Sequence, residues 1–528
     1  MTKLRVRRSL HDVQDDFQKG NKAELENLMR AWKGIKELPP DDPNSFFMIA
    51  GYHGEPFRGA GWGNAAYWGG YCNHGNVLFP TWHRVYVLKL EEALRSIPGC
   101  ADVTMPYWDE TNDESTLKGI PSALTDEKFL LDGVQIDNPL RSFKFPRTIR
   151  DHIPNDPLID YSKEKGYETV RYPLSGLVGT ATDKEATKQH NAQFPTPAQQ
   201  VALLNQNVVN WLGSVIVVDG KPRPTNVKLA YQLCLEAPNY TVFSNGTSRA
   251  EWNDNHPRVV SLENPHDSIH LAVGGFNIPN QPNFSPIPGS NGDMGENDTA
   301  GFDPIFFFHH CFIDRVFWLW QKKHGFTDHL EIIPGYPGTN SVDSQNPTPG
   351  TAPNSWLSLD SPLDPFDLKE NGTSRAYTSR DCIDIEKQLG YTYGPGSLEP
   401  ATLAQPAARA IAATEAPSVR VSGINRASIR GSFLISAFAN IEGKRVHIGT
   451  EAVLSRWHVE GCMNCQTHLQ ARATISLGAV LEKAPDPDKI EVEVMTRDGL
   501  LDGGPRTRSA FGAAARLARR PSFKVEIR

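Results

Sequence analysis

Apolar positions along the chain fall into two regimes: helical spacing over roughly the first 395 residues, and strand-like alternation beyond about residue 425. In the first regime, the run Phe46-Phe47-Met48-Ile49 follows a Pro43-Asn44 start signal. Phe79, Pro80 and Thr81 open a helix expected to run through residue 95. Asp303 and Pro304 read as the N-cap and first position of another helix, which carries Phe306-Phe307-Phe308 on toward Arg315 and Trp320. A polar stretch rich in Pro and Gly, about 277–300, precedes that helix and is expected to border whatever site these segments build.

From 397 to 424 the chain turns to Ala and Pro (LEPATLAQPAARAIAATEAP within it), with little periodic hydrophobicity, which reads as a linker. Beyond it, Ser428 to Ser436, Val446 to Leu454, Ala471 to Leu477 and Ile490 to Val494 alternate like strands, so a small antiparallel β-sandwich or barrel is expected. The organisation expected is therefore a mainly α domain at 1–396, a linker at 397–424 and a β-rich domain at 425–528. The Arg- and Ala-rich stretch 506–520 reads as a basic helix or an exposed tail.

Composition changes this picture little. The 528 residues suffice for two or three domains, and a net charge of −7 argues against a nucleic-acid partner. No stretch approaches the apolar length of a membrane span, and the N-terminus runs from Arg7-Arg8 into His11, Asp12 and Asp15 rather than into an apolar signal segment, so a cytoplasmic location is expected. Seven scattered cysteines do not read as a disulfide framework and fit a reducing compartment.

The histidines carry the candidate chemistry. His53, His74 and His83 form one cluster, and His266, His270 and the His309-His310 pair form another about two hundred residues on. His266 and His270 are four apart, so on a helix both rings project from one face, whereas one of the two adjacent histidines must face elsewhere. A single buried histidine is usually just hydrogen-bonded, but two three-imidazole groups suggest two metal sites with open positions, and imidazole suits copper, zinc, iron and nickel.

Three stretches narrow the choice: CNHGNVLFPTWHR at 72–84, NPHDSIH at 264–270 and DPIFFFHHCFIDRVFWLWQ at 303–321. They resemble the type 3 copper family of tyrosinases, catechol oxidases and molluscan-type haemocyanins. The resemblance spans about 45–395 and is nearest to fungal and some bacterial tyrosinases. It implies an antiparallel helical bundle holding two copper ions, the first on His53, His74 and His83 and the second on His266, His270 and His310. His309 then becomes a packed or hydrogen-bonded neighbour, with Asp314 one turn on as a candidate for orienting His310. The implied activity is oxidation of small phenols by O2: o-hydroxylation of monophenols and two-electron oxidation of catechols to o-quinones, which feed melanin-like pigment.

The resemblance extends to single residues. Cys72, two before His74, stands where relatives form a thioether to the imidazole, and a buried free thiol is the alternative. Glu263, three before His266, matches a glutamate that holds a water for deprotonating a monophenol. The next participant is here Asp267, where efficient monophenolases often carry asparagine; a carboxylate can hold the water or take the proton, and a helix-capping role is the alternative. Phe306 matches a ring hanging over one copper, as a candidate wall of the substrate pocket. Trp108, in Pro106-Tyr107-Trp108-Asp109, is expected in the core. Tyr391-Thr392-Tyr393-Gly394 resembles a closing motif that packs near an N-terminal arginine, Arg7 or Arg8.

Relatives with a C-terminal β domain are often latent proenzymes whose lid plugs the substrate entrance. Trp457 is the candidate plug, with Phe433 and Phe438 as alternatives, and each is equally suited to the β core. A lid held by carboxylates would open in acid. Cys462-Met463-Asn464-Cys465, flanked by His458 and His468, offers soft donors for Cu(I) or zinc; copper loading, a disulfide and no function all stay open. A copper chaperone and a second copy of the chain are candidate partners. The rival functions are a catechol oxidase without monophenolase activity, a haemocyanin-like O2 carrier, disfavoured because the chain has no internal repeat, and a dizinc or diiron hydrolase, disfavoured because only Glu263 and Asp267 adjoin a cluster.

Overall fold

A computed structural model of the chain describes residues 4–54, 70–150, 161–218, 221–279, 292–339, 356–370, 372–399, 416–441, 443–459, 462, 465, 468–478, 490–501 and 523–528. The helical part is built around two helices, Phe79–Ser96 and Ile305–His324, that pack on each other. Both are apolar on nearly every side, the signature of helices enclosed by others. In Ile305–His324 every residue from Ile305 to Gln321 is buried, and the helix stops at Gly325, whose φ of 75° closes it in the left-handed conformation glycine adopts freely. The helix starts one residue later than Asp303-Pro304 suggested. Asp303 still accepts from Ile305 N (3.2 Å), but its carboxylate is also clasped by Arg171 Nε (2.8 Å) and Nη2 (2.6 Å), which ties the helix start to a distant loop.

The chain's two ends of this domain meet in a parallel pair, Arg5–Arg7 with Tyr391–Tyr393. Arg7 is the arginine of the tyrosine motif: its guanidinium lies 3.6 Å over the Tyr391 ring, Nη1 donates to Tyr393 Oη (3.1 Å) and Nε to Glu91 (2.8 Å). Arg8 instead bonds Asp16 and Glu24 near the surface. Asp314 belongs to the same network. It accepts from Tyr391 Oη and Tyr393 Oη (both 2.6 Å) and from Arg84 Nε (2.5 Å), so it does not orient His310 as expected; it faces away from the histidines and closes the domain. Trp108 is fully buried, its Nε1 donating to Ser115 Oγ (3.0 Å).

The C-terminal part is a sandwich of two antiparallel sheets. One has the order Lys444–Val453, Phe433–Ile441, Ile490–Thr496, Gly499–Leu500; the other has Gln470–Ser476, Ser418–Asn425, Lys524–Ile527. Alternate residues of Phe433–Ile441 serve two cores: Phe433, Ile435 and Ala437 fill the sandwich, while Leu434 joins Ala452 and Leu454 against the helical domain. Two boundaries differ from expectation. Ser418–Asn425 is a central strand inside the expected 397–424 linker, and the strand expected from Ser428 begins at Phe433 because Asn425 caps a tight turn at Arg426–Ser428, its Oδ1 accepting from Ala427 N (2.9 Å). The 506–520 stretch and, within 277–300, residues 280–291 lie outside the described residues. Among the described residues no helix is long and apolar enough to cross a membrane.

Candidate metal centre

Each histidine is delivered by an element the sequence dictates locally. His53 follows the short helix Phe46–Ala50, capped by Ser45, whose Oγ accepts from Met48 N (3.1 Å). His74 lies on the loop before Phe79–Ser96, and His83 stands one turn into that helix, its Nδ1 donating to Phe79 O (2.8 Å). His266 and His270 share one face of Glu263–Gly274 with ring centroids 4.6 Å apart, and His310 comes from Ile305–His324.

Within the first cluster the rings of His53, His74 and His83 lie 5.1–5.5 Å apart; in the second, His310 lies 4.9 Å from His266 and 5.5 Å from His270. The clusters meet where His83 stacks on His310 at 4.5 Å. Four outer nitrogens are anchored: His53 Nδ1 donates to Asn297 O (3.3 Å), His83 to Phe79 O, His270 to Met294 O (2.8 Å) and His266 to Asp267 Oδ1 (3.0 Å). Such bonds fix tautomer and ring orientation and turn the other nitrogen inward. The Nε2 atoms of His53, His74, His83 and His266 are buried with no hydrogen-bond partner, while those of His270 and His310 face each other at 3.3 Å. Buried polar atoms are normally satisfied, so this convergence of orphaned imidazole nitrogens fits bound metal ions, and an all-imidazole set suits copper. Burial, then mutual repulsion among the rings, holds His53, His74, His266, His270 and His310 well below the usual histidine range; burial pushes His83 down to about 3. The neutral, ligating form therefore persists into acid.

His309 does more than pack. Its Nδ1 donates to Glu110 Oε1 (2.5 Å), Glu110 Oε2 accepts from Tyr231 Oη (2.5 Å), and its ring joins the second cluster, 5.3 Å from His266 and 5.1 Å from His270. Phe306 is wholly buried, stacked on His310 at 4.0 Å and edge-on to His53 at 4.7 Å, which makes it a brace between the clusters. Cys72 is buried beside His53 and His74, 3.6 Å from Asn297 Nδ2, and burial pushes its thiol up to about 11.

Two carboxylates stand at the edge of the second cluster. Glu263 accepts from Gly75 N (2.6 Å) and Gly246 N (2.7 Å), bridging the His74 loop to the second cluster's helix. Asp267 clasps His266 through Oδ1 and accepts from Leu454 N (3.4 Å) of the sandwich through Oδ2, so it is not a helix cap. Burial raises both carboxyl groups, and Glu263 raises Asp267 further. A cavity of about 160 Å³ joins His74, Glu263 and Asp267 to Arg426, Leu454 and His468 of the C-terminal domain. The His468 ring lies so close on Gly75 that a side chain there would overlap it.

The expected plug is elsewhere: Trp457 is enclosed by Tyr161, Val178 and the guanidinium of Arg497, 4.5 Å above its ring. Phe433 sits in the sandwich core and Phe438 lies under Arg445 at 3.4 Å. Of the three outcomes left open for Cys462 and Cys465, the structure has them joined in a disulfide. Glu110 and Arg426 were missed in the sequence, and His468 was read only as a flanking donor beside Cys462 and Cys465. Glu110 follows the recognisable Pro106-Tyr107-Trp108-Asp109 and was the findable one, whereas Arg426 and His468 reach the centre only through domain docking.

Fold and centre together define a type 3 dicopper protein. The family model for the common central domain of tyrosinase matches residues 43–323, more than half the chain, and the chain belongs to the tyrosinase family, which oxidises phenols with O2 at two coppers. A tyrosinase of Hahella sp. is 51% identical over 521 residues, covering 94% of this chain and 92% of the relative; one of Aspergillus oryzae is 46% identical over 496 residues, 89% and 88% respectively. The low-pH structure of Burkholderia thailandensis tyrosinase superposes with a TM-score of 0.83 at 51% identity, covering 99% of this chain and all of that one. Recombinant mushroom tyrosinase, at 21% identity and a TM-score of 0.64, shares the fold.

Proposed function

We propose that this enzyme hydroxylates monophenols as well as oxidising catechols, and that the docked C-terminal domain keeps it latent. The observation that carries this is the pair of buried carboxylates, Glu263 and Asp267, sharing one small cavity with His74. Copper bound by His53, His74, His83, His266, His270 and His310 would activate dioxygen and accept electrons from the ring. The protein's part is to move the phenolic proton. With both carboxyl groups raised, one of the pair can take a proton from the incoming hydroxyl, directly or through a water. Each carboxylate is also held in place, Glu263 by Gly75 N and Gly246 N and Asp267 by His266 and Leu454 N, so the pair shares the role of base. The stoichiometry balances: a monophenol and O2 give an o-quinone and water, while two catechols and one O2 give two o-quinones and two waters.

The second reading, a catechol oxidase, is favoured by those same bonds, which occupy both oxygens of Glu263 and of Asp267. Turnover of a monophenol and its catechol by wild type, Glu263→Gln and Asp267→Asn separates the two. Loss of the general base should cost monophenol turnover about 10²–10⁴-fold and leave catechol turnover nearly intact. Wild-type protein, with its C-terminal domain removed, that oxidises only the catechol would end the monophenolase proposal.

Latency follows from what closes the cavity. Arg426 and His468 are among the C-terminal residues that line it, Trp457 is not, and the His468 ring lies on Gly75 beside His74, so we assign these two as the lid. The closeness of Cys72 to His74 supports a thioether there, formed by replacing the thiol hydrogen and a ring C–H with one C–S bond while O2 takes the two hydrogens as hydrogen peroxide; copper held by His74 and its neighbours would supply the redox chemistry. Intact mass of the copper-loaded chain should then fall by two hydrogen atoms, and Cys72→Ala should abolish the loss.

A further inference from the structure

A short stretch of the helical domain, Asp293 to Asp298, lies between the metal centre and the C-terminal sandwich, and both sides hold it. On the metal side, Met294 O accepts from His270 Nδ1 (2.8 Å) and Asn297 O from His53 Nδ1 (3.3 Å), so one histidine of each cluster takes its orientation from this backbone. The approach is close: a side chain at Gly54 would overlap Asn297 O, and one at Gly274 would overlap Gly295 N.

From the other side the sandwich grips four consecutive residues. Ser432 Oγ donates to Gly295 O (2.7 Å), and Arg497 pairs with Glu296. Asn297 N donates to Ser455 O (3.3 Å), and Asp298 takes both Trp457 N (2.8 Å) and the Arg456 guanidinium (3.1 Å). The four side chains of the two ion pairs are each 1% exposed or less. Charges buried this completely are strongly disfavoured unless paired, so the contacts resist loosening one at a time.

We infer that Arg456 and Arg497 are positioning residues for the two copper sites: by pinning Asp298 and Glu296 they hold the Asn297 and Met294 carbonyls that aim His53 and His270. The inference rests on the assignment of those two histidines as copper ligands. It makes the C-terminal domain part of what retains copper, beyond covering the cavity. Because one ligand in each site depends on the same stretch, both coppers should loosen together.

The test uses the full-length, copper-loaded protein and follows release of copper to a chelator, with total copper measured by metal analysis and folding by circular dichroism. Groups that orient a ligand through its second nitrogen typically govern metal affinity about 10–100-fold, so Arg456→Gln and Arg497→Gln should release both coppers faster by that order. Arg445→Gln, which breaks ion pairs with Glu491 and Glu493 and the stacking on Phe438, all within the sandwich, should match wild type. Folded Arg456→Gln and Arg497→Gln proteins that release copper at the wild-type rate would overturn the inference. If neither variant folds, Ser432→Ala, which deletes the hydrogen bonds of Ser432 Oγ to Gly295 O and to Ser455, decides in the same way: faster release supports the inference and an unchanged rate overturns it. Wild-type protein that holds fewer than two coppers would instead sink the ligand assignment and the inference with it.

Discussion

Asp314 shows how one side chain closes the helical domain. Burial alone would raise its carboxyl group, but Arg84 and Arg7, helped by the hydroxyls of Tyr391 and Tyr393, hold it below the usual carboxylate range. Removing one member of such a buried network leaves the other charges uncompensated, so Asp314→Asn should cost ~3–5 kcal/mol, read as a lower midpoint in denaturant unfolding. Because the folded carboxyl group is depressed, its contribution is present in full above the unfolded value, about 3.9, and is lost only as pH falls below that through the folded value. His447 works in a different window. Burial lowers it to about 4, so stability is complete above the ordinary histidine value of about 6.5 and declines as pH falls from there toward 4. His447→Gln should flatten that decline in a pH series of thermal unfolding; an unchanged slope would remove His447 from the account. At this scale five of the six candidate ligand histidines were legible because they sit in long local motifs, and His53 because it follows the apolar run Phe46-Phe47-Met48-Ile49. The partners of Asp314 were not: Arg84 lies 230 residues away, and spacing alone cannot tell an aspartate one turn past His310 from one facing the opposite side.

Elements were legible where one face or one periodicity decides. The Phe79–Ser96 helix came out within a residue, because Pro80 presets its first turn and nearly every residue from Phe79 to Leu94 is buried. The sandwich was read less well. Ser418–Asn425 was hidden by the Ala/Pro-rich residues before it, and the start of Phe433–Ile441 by a turn whose signal is a single Asn425 side-chain bond. Docking between elements could not be read at all. Glu451, on Lys444–Val453, accepts from Arg249 of the Gly246–Trp252 helix, from Asn264 Nδ2 (3.0 Å) and from Thr474 N (3.1 Å), which joins the sandwich to the helix bearing His266 and His270. Glu451→Ala should weaken that docking and raise the catechol turnover of the intact chain without proteolysis. Turnover unchanged from wild type would show that this contact does not hold the lid.

Over the whole molecule, the C-terminal domain touches one site in two ways. It closes the cavity beside Glu263 with Arg426 and His468, and through Arg456 and Arg497 it grips the stretch that aims His53 and His270. A chain ending after residue 399 should therefore turn over catechol faster at first and lose activity sooner as copper leaves, a time course that added copper should restore. A truncated enzyme as durable as the intact one would separate the two roles. The central claim is a coupled pair of coppers on His53, His74, His83, His266, His270 and His310, and electron paramagnetic resonance of the oxidised, copper-loaded full-length protein tests it most directly. Two coppers per chain with no resonance signal is the predicted result, since paired Cu(II) spins cancel; a full-intensity signal from isolated Cu(II), or one copper per chain, would contradict it.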